Sequence, residues 1–220
     1  MHNIVFIAKK HAVRLAIVDN IYAYGRGNGK SISEDYPKNP HTKKGKIRLQ
    51  LEQIVQDSNI DAFFVHFPDF YGPGAEKSML HFFLKPISQN KSTIFIGDRK
   101  VKREYIYTPD GAKAIVNLAL SDKAYGENWN IPATDTISGE EIIDMVKSQT
   151  NYKKRIITVN KRMISLLGLF DKEMREVKEM FYLNEEPVVL DGGKYQEIIG
   201  EIPTTSYEYG ILKTLKSLKQ

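Results

Sequence analysis

The sequence contains no cysteine, and this absence excludes several kinds of chemistry at once. Without a thiol there can be no disulfide, no zinc–thiolate site and no cysteine nucleophile. A chain of this kind suits a reducing compartment, and we expect a cytoplasmic protein. The 5 histidines also lack the HxxxH spacing of a zinc-binding helix, so we expect no metal site.

Long apolar runs are missing as well. No stretch reaches the roughly 18 consecutive apolar residues that a membrane-spanning helix needs. Residues 1–7 are too few for the hydrophobic part of a signal peptide, and Lys9 and Lys10 follow soon after. The sequence therefore predicts no membrane partner.

The net charge of +5 is modest, and no long basic block concentrates it. Acidic and basic residues are interspersed along the chain. Lys213, Lys216 and Lys219 are spaced three apart, which places them on one face of a closing helix. This is the pattern of a solvated surface, so we expect no nucleic-acid partner.

Helical and strand-like segments alternate along the chain. Apolar runs at 15–18 and 62–67 are typical of strands buried on both faces of a parallel sheet. Pro86 is expected to end a helix, and residues 68–74 and 190–194 are expected to form turns. Helices are predicted at 3–11, 44–57, 77–84, 109–120, 140–149, 163–169, 173–183 and 206–218, and further strands at 93–97, 104–107 and 129–131. The alternation predicts the α/β class, with a helix-rich lobe after about residue 120.

Seven short motifs occur in a fixed order and carry a family resemblance. They are DNIYAYG at 19–25, SEDYPKNP at 33–40, KGKIR with a glutamate at 44–52, HFPDFYGPG at 66–74, GD with REYIY and an aspartate at 97–110, WNI with a serine and a glutamate at 129–141, and LDGGK with a glycine and PTT at 190–205. Together they resemble the C-terminal two-thirds of the NAD-dependent epimerase/dehydratase family, the extended short-chain dehydrogenases. The resemblance covers almost the whole chain.

The resemblance implies a partial Rossmann-like parallel sheet with a smaller, helix-rich C-terminal substrate lobe. Residues 1–120 would be the C-terminal half of an NAD(P)-binding domain, and residues 121–220 mainly a substrate-binding lobe interleaved with it. The family's opening strand, GxxGxxG turn and helix have no counterpart here. We therefore expect a truncated chain, in which binding of NAD or NADP by this chain alone is doubtful.

The catalytic positions also depart from the family pattern of serine or threonine, tyrosine and lysine. Alignment on Tyr24 and Glu52 places Asn20 at the first position, Lys44 at the second and Arg48 at the third. The resemblance then implies that Asn20 orients the substrate, Lys44 exchanges the proton and Arg48 holds the ribose hydroxyls of the cofactor. A second register, in which Lys46 takes the lysine role with Thr42 four residues earlier, also lacks a tyrosine.

Residues after the second buried strand complete the candidate site. In the family this stretch packs on the nicotinamide and touches substrate, which implies cofactor contacts for Phe67 and Pro68 and a substrate contact for Asp69. Arg103 matches the family arginine that binds substrate phosphate, and its planar fork suits that task. The alternative is a surface ion pair between Arg103 and a nearby acidic residue.

Two functions stay open from the sequence. The first is an NAD(P)-dependent epimerase/dehydratase-like enzyme acting on a sugar, a nucleotide sugar or another small polar metabolite. The second is a non-catalytic ligand-binding or regulatory module, which the missing tyrosine favours. An exposed sheet edge left by absent strands predicts aggregation or a homodimer.

Overall fold

A computed structural model describes residues 1–27 and 29–219 and shows a mixed α/β fold. The helices are α1 (His2–His11), α2 (Lys43–Gln56), α3 (Met79–Ser88), α4 (Thr108–Ala119), α5 (Gly139–Thr150), α6 (Lys161–Leu167), α7 (Lys172–Met180), α8 (Gly193–Ile198) and α9 (Tyr207–Ser217). The strands are β1 (Leu15–Asn20), β2 (Ser31–Ile32), β3 (Ala62–Phe67), β4 (Asp69–Tyr71), β5 (Thr93–Ile96), β6 (Lys102–Tyr107), β7 (Asn128–Asn130), β8 (Thr136–Ser138), β9 (Ile156–Val159) and β10 (Val189–Leu190). The predicted fold class is confirmed.

The chain forms two compact units, each assembled from three separate segments. Unit 1 comprises Met1–Pro68, Gly111–Pro132 and Val188–Pro203, and unit 2 comprises Asp69–Asp110, Ala133–Pro187 and Thr204–Gln220. These units reflect packing. The predicted boundary near residue 120 separates a cofactor-binding part of the chain from a substrate-binding part. The division by packing does not test it, so it stays a prediction.

Unit 1 contains a parallel sheet in the order β1-β3-β7. Every residue of β3 is buried, as its unbroken apolar run predicted. The prediction that β1 is also covered on both faces is wrong, because within the described residues β1 has only β3 as a neighbour and Val18 is 50% exposed. Both strands end at the same edge of the sheet, where Asn20 is paired with Phe67.

Helices α1 and α2 supply the apolar cluster on one face of this sheet. Val5 of α1 and Val55 of α2 pack with Phe64. The spacing of Ile47, Leu51, Ile54 and Val55 predicts one apolar face for α2, but Ile47 is 43% exposed. The buried positions of α2 are Gly45, Glu52 and Val55, so the helix also turns a charged residue inward.

Unit 2 contains a three-stranded sheet in the order β4-β6-β8 and the parallel pair β5–β9.

The structure corrects three local predictions from the sequence. The segment 68–74 contains β4, the segment 190–194 contains the end of β10 and the start of α8, and Pro86 lies inside α3. The helix ends two residues beyond Pro86, so the missing proline N–H affects only its last turn.

The spacing of Ser138 and Glu141 predicts a capping box at the start of α5, and the structure confirms it. The Ser138 hydroxyl accepts a hydrogen bond from the Glu141 N–H at 3.2 Å, while the Glu141 carboxylate accepts one from the Ser138 N–H at 2.7 Å. In the part of the chain that the structure describes, no helix is long and apolar enough to cross a membrane.

Candidate functional site

The polar end of β1 brings two predicted site residues to one carboxylate oxygen. Asp19 Oδ1 accepts a hydrogen bond from the Asn20 N–H at 2.8 Å and lies 3.4 Å from Arg48 Nη1. Asp19 is only 5% exposed, whereas the Arg48 side chain is 40% exposed. A buried acid therefore anchors a partly exposed guanidinium at the carboxyl ends of the parallel strands, the edge at which α/β proteins bind ligands.

The side-chain oxygen of Asn20 also has a structural role. It accepts a hydrogen bond from the Tyr22 N–H at 2.9 Å and so caps the short 3-10 helix Ile21–Tyr24. This is a common use of asparagine after a strand. Orientation of a substrate by Asn20, as the resemblance implies, would have to involve its amide nitrogen or a rearranged cap.

Helix α2 positions the other two catalytic candidates. Thr42 caps the helix by accepting a hydrogen bond from the Gly45 N–H at 3.1 Å. Lys44 and Arg48 lie one turn apart on one face of the helix. In the second register Thr42 would stand at the tyrosine position, four residues before Lys46, but its hydroxyl oxygen is engaged in capping and the residue is buried.

A buried charged network lies between α2 and β3, and the sequence analysis did not assign it a role. Lys38, from the loop before α2, forms an ion pair with Glu52. Its ammonium group lies 3.3 Å from His66 Nε2. Glu52 also accepts a hydrogen bond from the Asn128 amide at 2.6 Å. These charges attach the loop to the helix and the sheet.

Burial shifts the pKa values of this network in ways that its contacts explain. Burial lowers the pKa of Lys38, although Glu52 opposes that shift. Burial by itself would raise the pKa of Glu52, but His66 and Lys38 outweigh it and lower the pKa to about 2. Burial also raises the pKa of Asp19, against the opposing effects of the Asn20 N–H and Arg48. Glu52 is therefore a stable anion in the folded chain.

Tyr24 connects the network to β7. Its hydroxyl donates to the Asn130 side-chain oxygen at 2.7 Å, and its ring contacts the His66 ring edge-on at 5.2 Å. Burial raises the pKa of Tyr24, so this phenol stays protonated at neutral pH. The Asn130 N–H donates to Glu34 at 2.7 Å, which fixes a second point of the loop.

The two predicted cofactor contacts on β3 are not exposed. Phe67 is 0% exposed and Pro68 is buried. Contact of these two residues with a nicotinamide stays a prediction.

The two predicted substrate-binding residues contact each other in unit 2. Arg103 is 7% exposed and donates to Asp69 at 2.5 Å and to the Asn184 side-chain oxygen at 2.6 Å. Its fork is thus occupied by protein groups, in a buried ion pair rather than the surface pair considered from the sequence. Phosphate binding by Arg103 would require this pair to open.

Asp19, Lys38, Glu52 and His66 are the residues that sequence reasoning missed. The sequence signal that could have revealed them is a polar residue at a position whose neighbouring residues predict burial. His66 interrupts the apolar strand AFFVHF, and Glu52 lies beside the apolar residues of α2. Buried charges must be paired, so two such residues in adjacent elements predict a contact.

No GxxG spacing occurs anywhere in the sequence, so the GxxGxxG motif that binds a dinucleotide pyrophosphate is not among its residues. The described residues also contain no group of three or more histidine and acidic side chains that could hold a metal ion. What the site does offer is the Arg48 guanidinium beside Asp19. This arrangement suits a pair of hydroxyl groups.

Known proteins share this fold over most of the chain. The structure superimposes on UDP-glucuronic acid 4-epimerase from Bacillus cereus in complex with UDP-glucuronic acid and NAD, with a TM-score of 0.80 and 18% identity over 98% of this chain and 64% of that one. A dTDP-glucose 4,6-dehydratase from Streptomyces venezuelae gives a TM-score of 0.78 at 16% identity, over 98% of this chain and 63% of that one.

Sequence comparison agrees with the structural match. The dTDP-4-dehydro-6-deoxyglucose reductase of Escherichia coli is 22% identical over 204 residues, covering 89% of this chain and 58% of that protein. The chain spans about half the length of the curated relatives that it matches. The profile of the family described as "NAD dependent epimerase/dehydratase family" matches residues 2–132, and this match shows that the chain belongs to that family.

Proposed function

We propose that the chain provides the substrate and nicotinamide-ribose side of an NAD-dependent sugar epimerase or dehydratase site. The observation that carries this proposal is the single Asp19 oxygen that contacts both Asn20 and Arg48 at the carboxyl edge of the sheet. The family description and the NAD and sugar-nucleotide complexes among the structural matches support the ligand class.

Each residue has a defined task in this proposal. Arg48 holds the ribose diol of the nicotinamide nucleoside through its guanidinium. Lys44, one turn away, gives or takes the proton at the reacting sugar hydroxyl. Bound NAD would accept or return the hydride. The chain lacks a glycine turn for the pyrophosphate, so we propose that a further polypeptide segment or partner chain completes that part of the site.

The proposal divides the cofactor into a nicotinamide-ribose half, which this chain holds, and an adenine half, which it does not hold. This division can be tested. Saturation-transfer NMR on the purified 220-residue chain with NAD+ should show the strongest transfer to the nicotinamide-ribose protons and weak transfer to the adenine protons. Reduced nicotinamide mononucleotide should bind, whereas AMP should not. Arg48→Ala should abolish the transfer. Lys43→Ala, which removes an exposed cation from the same helix, is the matched control and should leave it unchanged.

The opposite pattern would contradict the proposal. Strong transfer to adenine, or equal transfer in the wild type and Arg48→Ala, would place the cofactor elsewhere. A folded chain that binds neither nicotinamide compound would have no cofactor role of its own.

The second candidate is a non-catalytic ligand-binding module, and the lysine at the tyrosine position favours it. The two candidates differ in one measurement. Lys44→Ala should abolish turnover of an enzyme, whereas a sensor would bind its ligand equally well with either residue.

A further inference from the structure

Asp19 has a position that the family pattern does not explain. In the alignment on Tyr24, Asp19 directly precedes Asn20, the residue at the serine/threonine position, and the family pattern assigns no role to it. The Asp19 carboxylate is buried at the last but one position of β1, where the paired residue on β3 is His66. A buried carboxylate is costly unless it is paired, so its contacts indicate its role.

Asp19 has one charged partner on α2 and one hydrogen-bond donor on its own strand. Arg48 Nη1 lies 3.4 Å from Oδ1, and the same oxygen accepts a hydrogen bond from the Asn20 N–H. Two further neighbours act on the pKa of Asp19: His66 lowers it and Glu52 raises it. Arg48 is the partly exposed cation of the group, and its guanidinium is the part that a ligand can reach.

We infer that Asp19 is a positioning residue that orients the Arg48 guanidinium toward a ligand and, by balancing its charge, selects a neutral diol over a phosphate. This inference rests on the proposed function, in which Arg48 meets a ribose. An arginine without a counter-charge at the mouth of a site is a natural phosphate binder. With a carboxylate beside it, an incoming dianion meets repulsion from Asp19, whereas neutral hydroxyl groups can still accept hydrogen bonds from the guanidinium.

The orienting step can be measured without any ligand. In nitrogen-detected NMR of the full chain, rotation about the Cζ–Nη bonds of Arg48 should be slow, because the ion pair holds one edge of the group. Asp19→Asn removes the charge at nearly constant shape and should accelerate this rotation several-fold. Asp122→Asn, which removes the exposed partner of Arg14, is the matched control and should leave Arg48 unchanged.

The selectivity step uses two probes, reduced nicotinamide riboside as a diol without phosphate and inorganic phosphate as an anion. The wild type should show Arg48 shifts with the riboside and none with phosphate. Asp19→Asn should bind the riboside about tenfold more weakly, a change of about 1.4 kcal/mol, and should gain a response to phosphate. A residue that only stabilises the fold would not move the two affinities in opposite directions.

The outcomes separate the two levels of the argument. If the riboside does not shift the Arg48 signals of the wild type, both the proposed function and the inference that rests on it are overturned. If the riboside binds but Asp19→Asn leaves both the rotation and the preference unchanged, only the inference is overturned. Should Asp19→Asn not fold, Arg48→Lys replaces the fork by a point charge and should lose the riboside. Because Asp19 is still present, this variant should show no response to phosphate, and a gained response would overturn the inference.

Discussion

Replacement of Glu52 by glutamine should be among the most damaging single changes in unit 1. The Glu52 side chain is 3% exposed and that of Lys38 is 10% exposed, so both charges are removed from water. Glu52→Gln keeps the size of the side chain but leaves the Lys38 ammonium buried without its counter-charge. Breaking a buried ion pair in this way costs about 3–5 kcal/mol.

The pKa of Glu52 gives a second, independent magnitude. A fall from 4.5 in the unfolded chain to about 2 in the folded chain corresponds to roughly 3 kcal/mol of stabilisation. Because the folded pKa is the lower one, this stabilisation is present above pH 4.5 and is lost as the pH falls toward 2. Glu52→Gln should therefore reduce stability strongly at pH 7 and only slightly near pH 2.

Urea denaturation followed by fluorescence measures this loss directly. Trp129 is the only tryptophan, lies in β7 of unit 1 and is 0% exposed, so its emission reports on the unit that contains the network. Glu197→Gln, at an exposed position of α8, is the matched control and should change stability by less than about 0.5 kcal/mol.

The double variant tests whether the ion pair is the cause. Lys38→Met together with Glu52→Gln removes both charges, so it should recover part of the stability that Glu52→Gln loses. A loss below about 1 kcal/mol for Glu52→Gln at pH 7, or a double variant whose loss equals the sum of the single losses, would refute a coupled buried pair.

Three further changes have expected signs and sizes. Tyr24→Phe should cost about 1–3 kcal/mol, measured by the same urea unfolding, because the Asn130 oxygen loses a buried hydrogen bond. Gly45→Ala should destabilise even though alanine is the better helix former, since the new Cβ would lie 2.5 Å from the Tyr22 carbonyl oxygen; a higher melting temperature would contradict this. Ser138→Ala should cost about 1 kcal/mol through the lost helix cap, whereas Ser138→Asp should retain most of the thermal stability.

The sequence predicts most helices of this fold because their signals are local. The capping box at Ser138 and the apolar spacing of α2 involve residues within four positions of each other. The strand β3 was equally clear, because its apolar run requires cover on both faces. The short strands β2, β8, β9 and β10 were missed, since two to four residues carry no periodicity and their pairing depends on distant partners.

The candidate site was only partly accessible from the sequence. Motif alignment located Asn20 and Arg48, but not the carboxylate between them. The contacts of Arg103 with Asp69 and with Asn184 join residues 34 and 81 positions apart. No local pattern encodes such contacts, and a buried ion pair looks the same in a sequence as two solvated charges.

The departures from the family motif are linked in the structure. An arginine at the lysine position introduces a wider and permanently charged group, so the exchange is not conservative. A serine at position 19 would leave that guanidinium without a counter-charge, whereas Asp19 places a carboxylate oxygen 3.4 Å away. Random decay of an active site gives no reason for two departures to match in charge and distance. Under the proposed function, such a match is expected of a reorganised binding site, in which the aspartate and the arginine act as one unit.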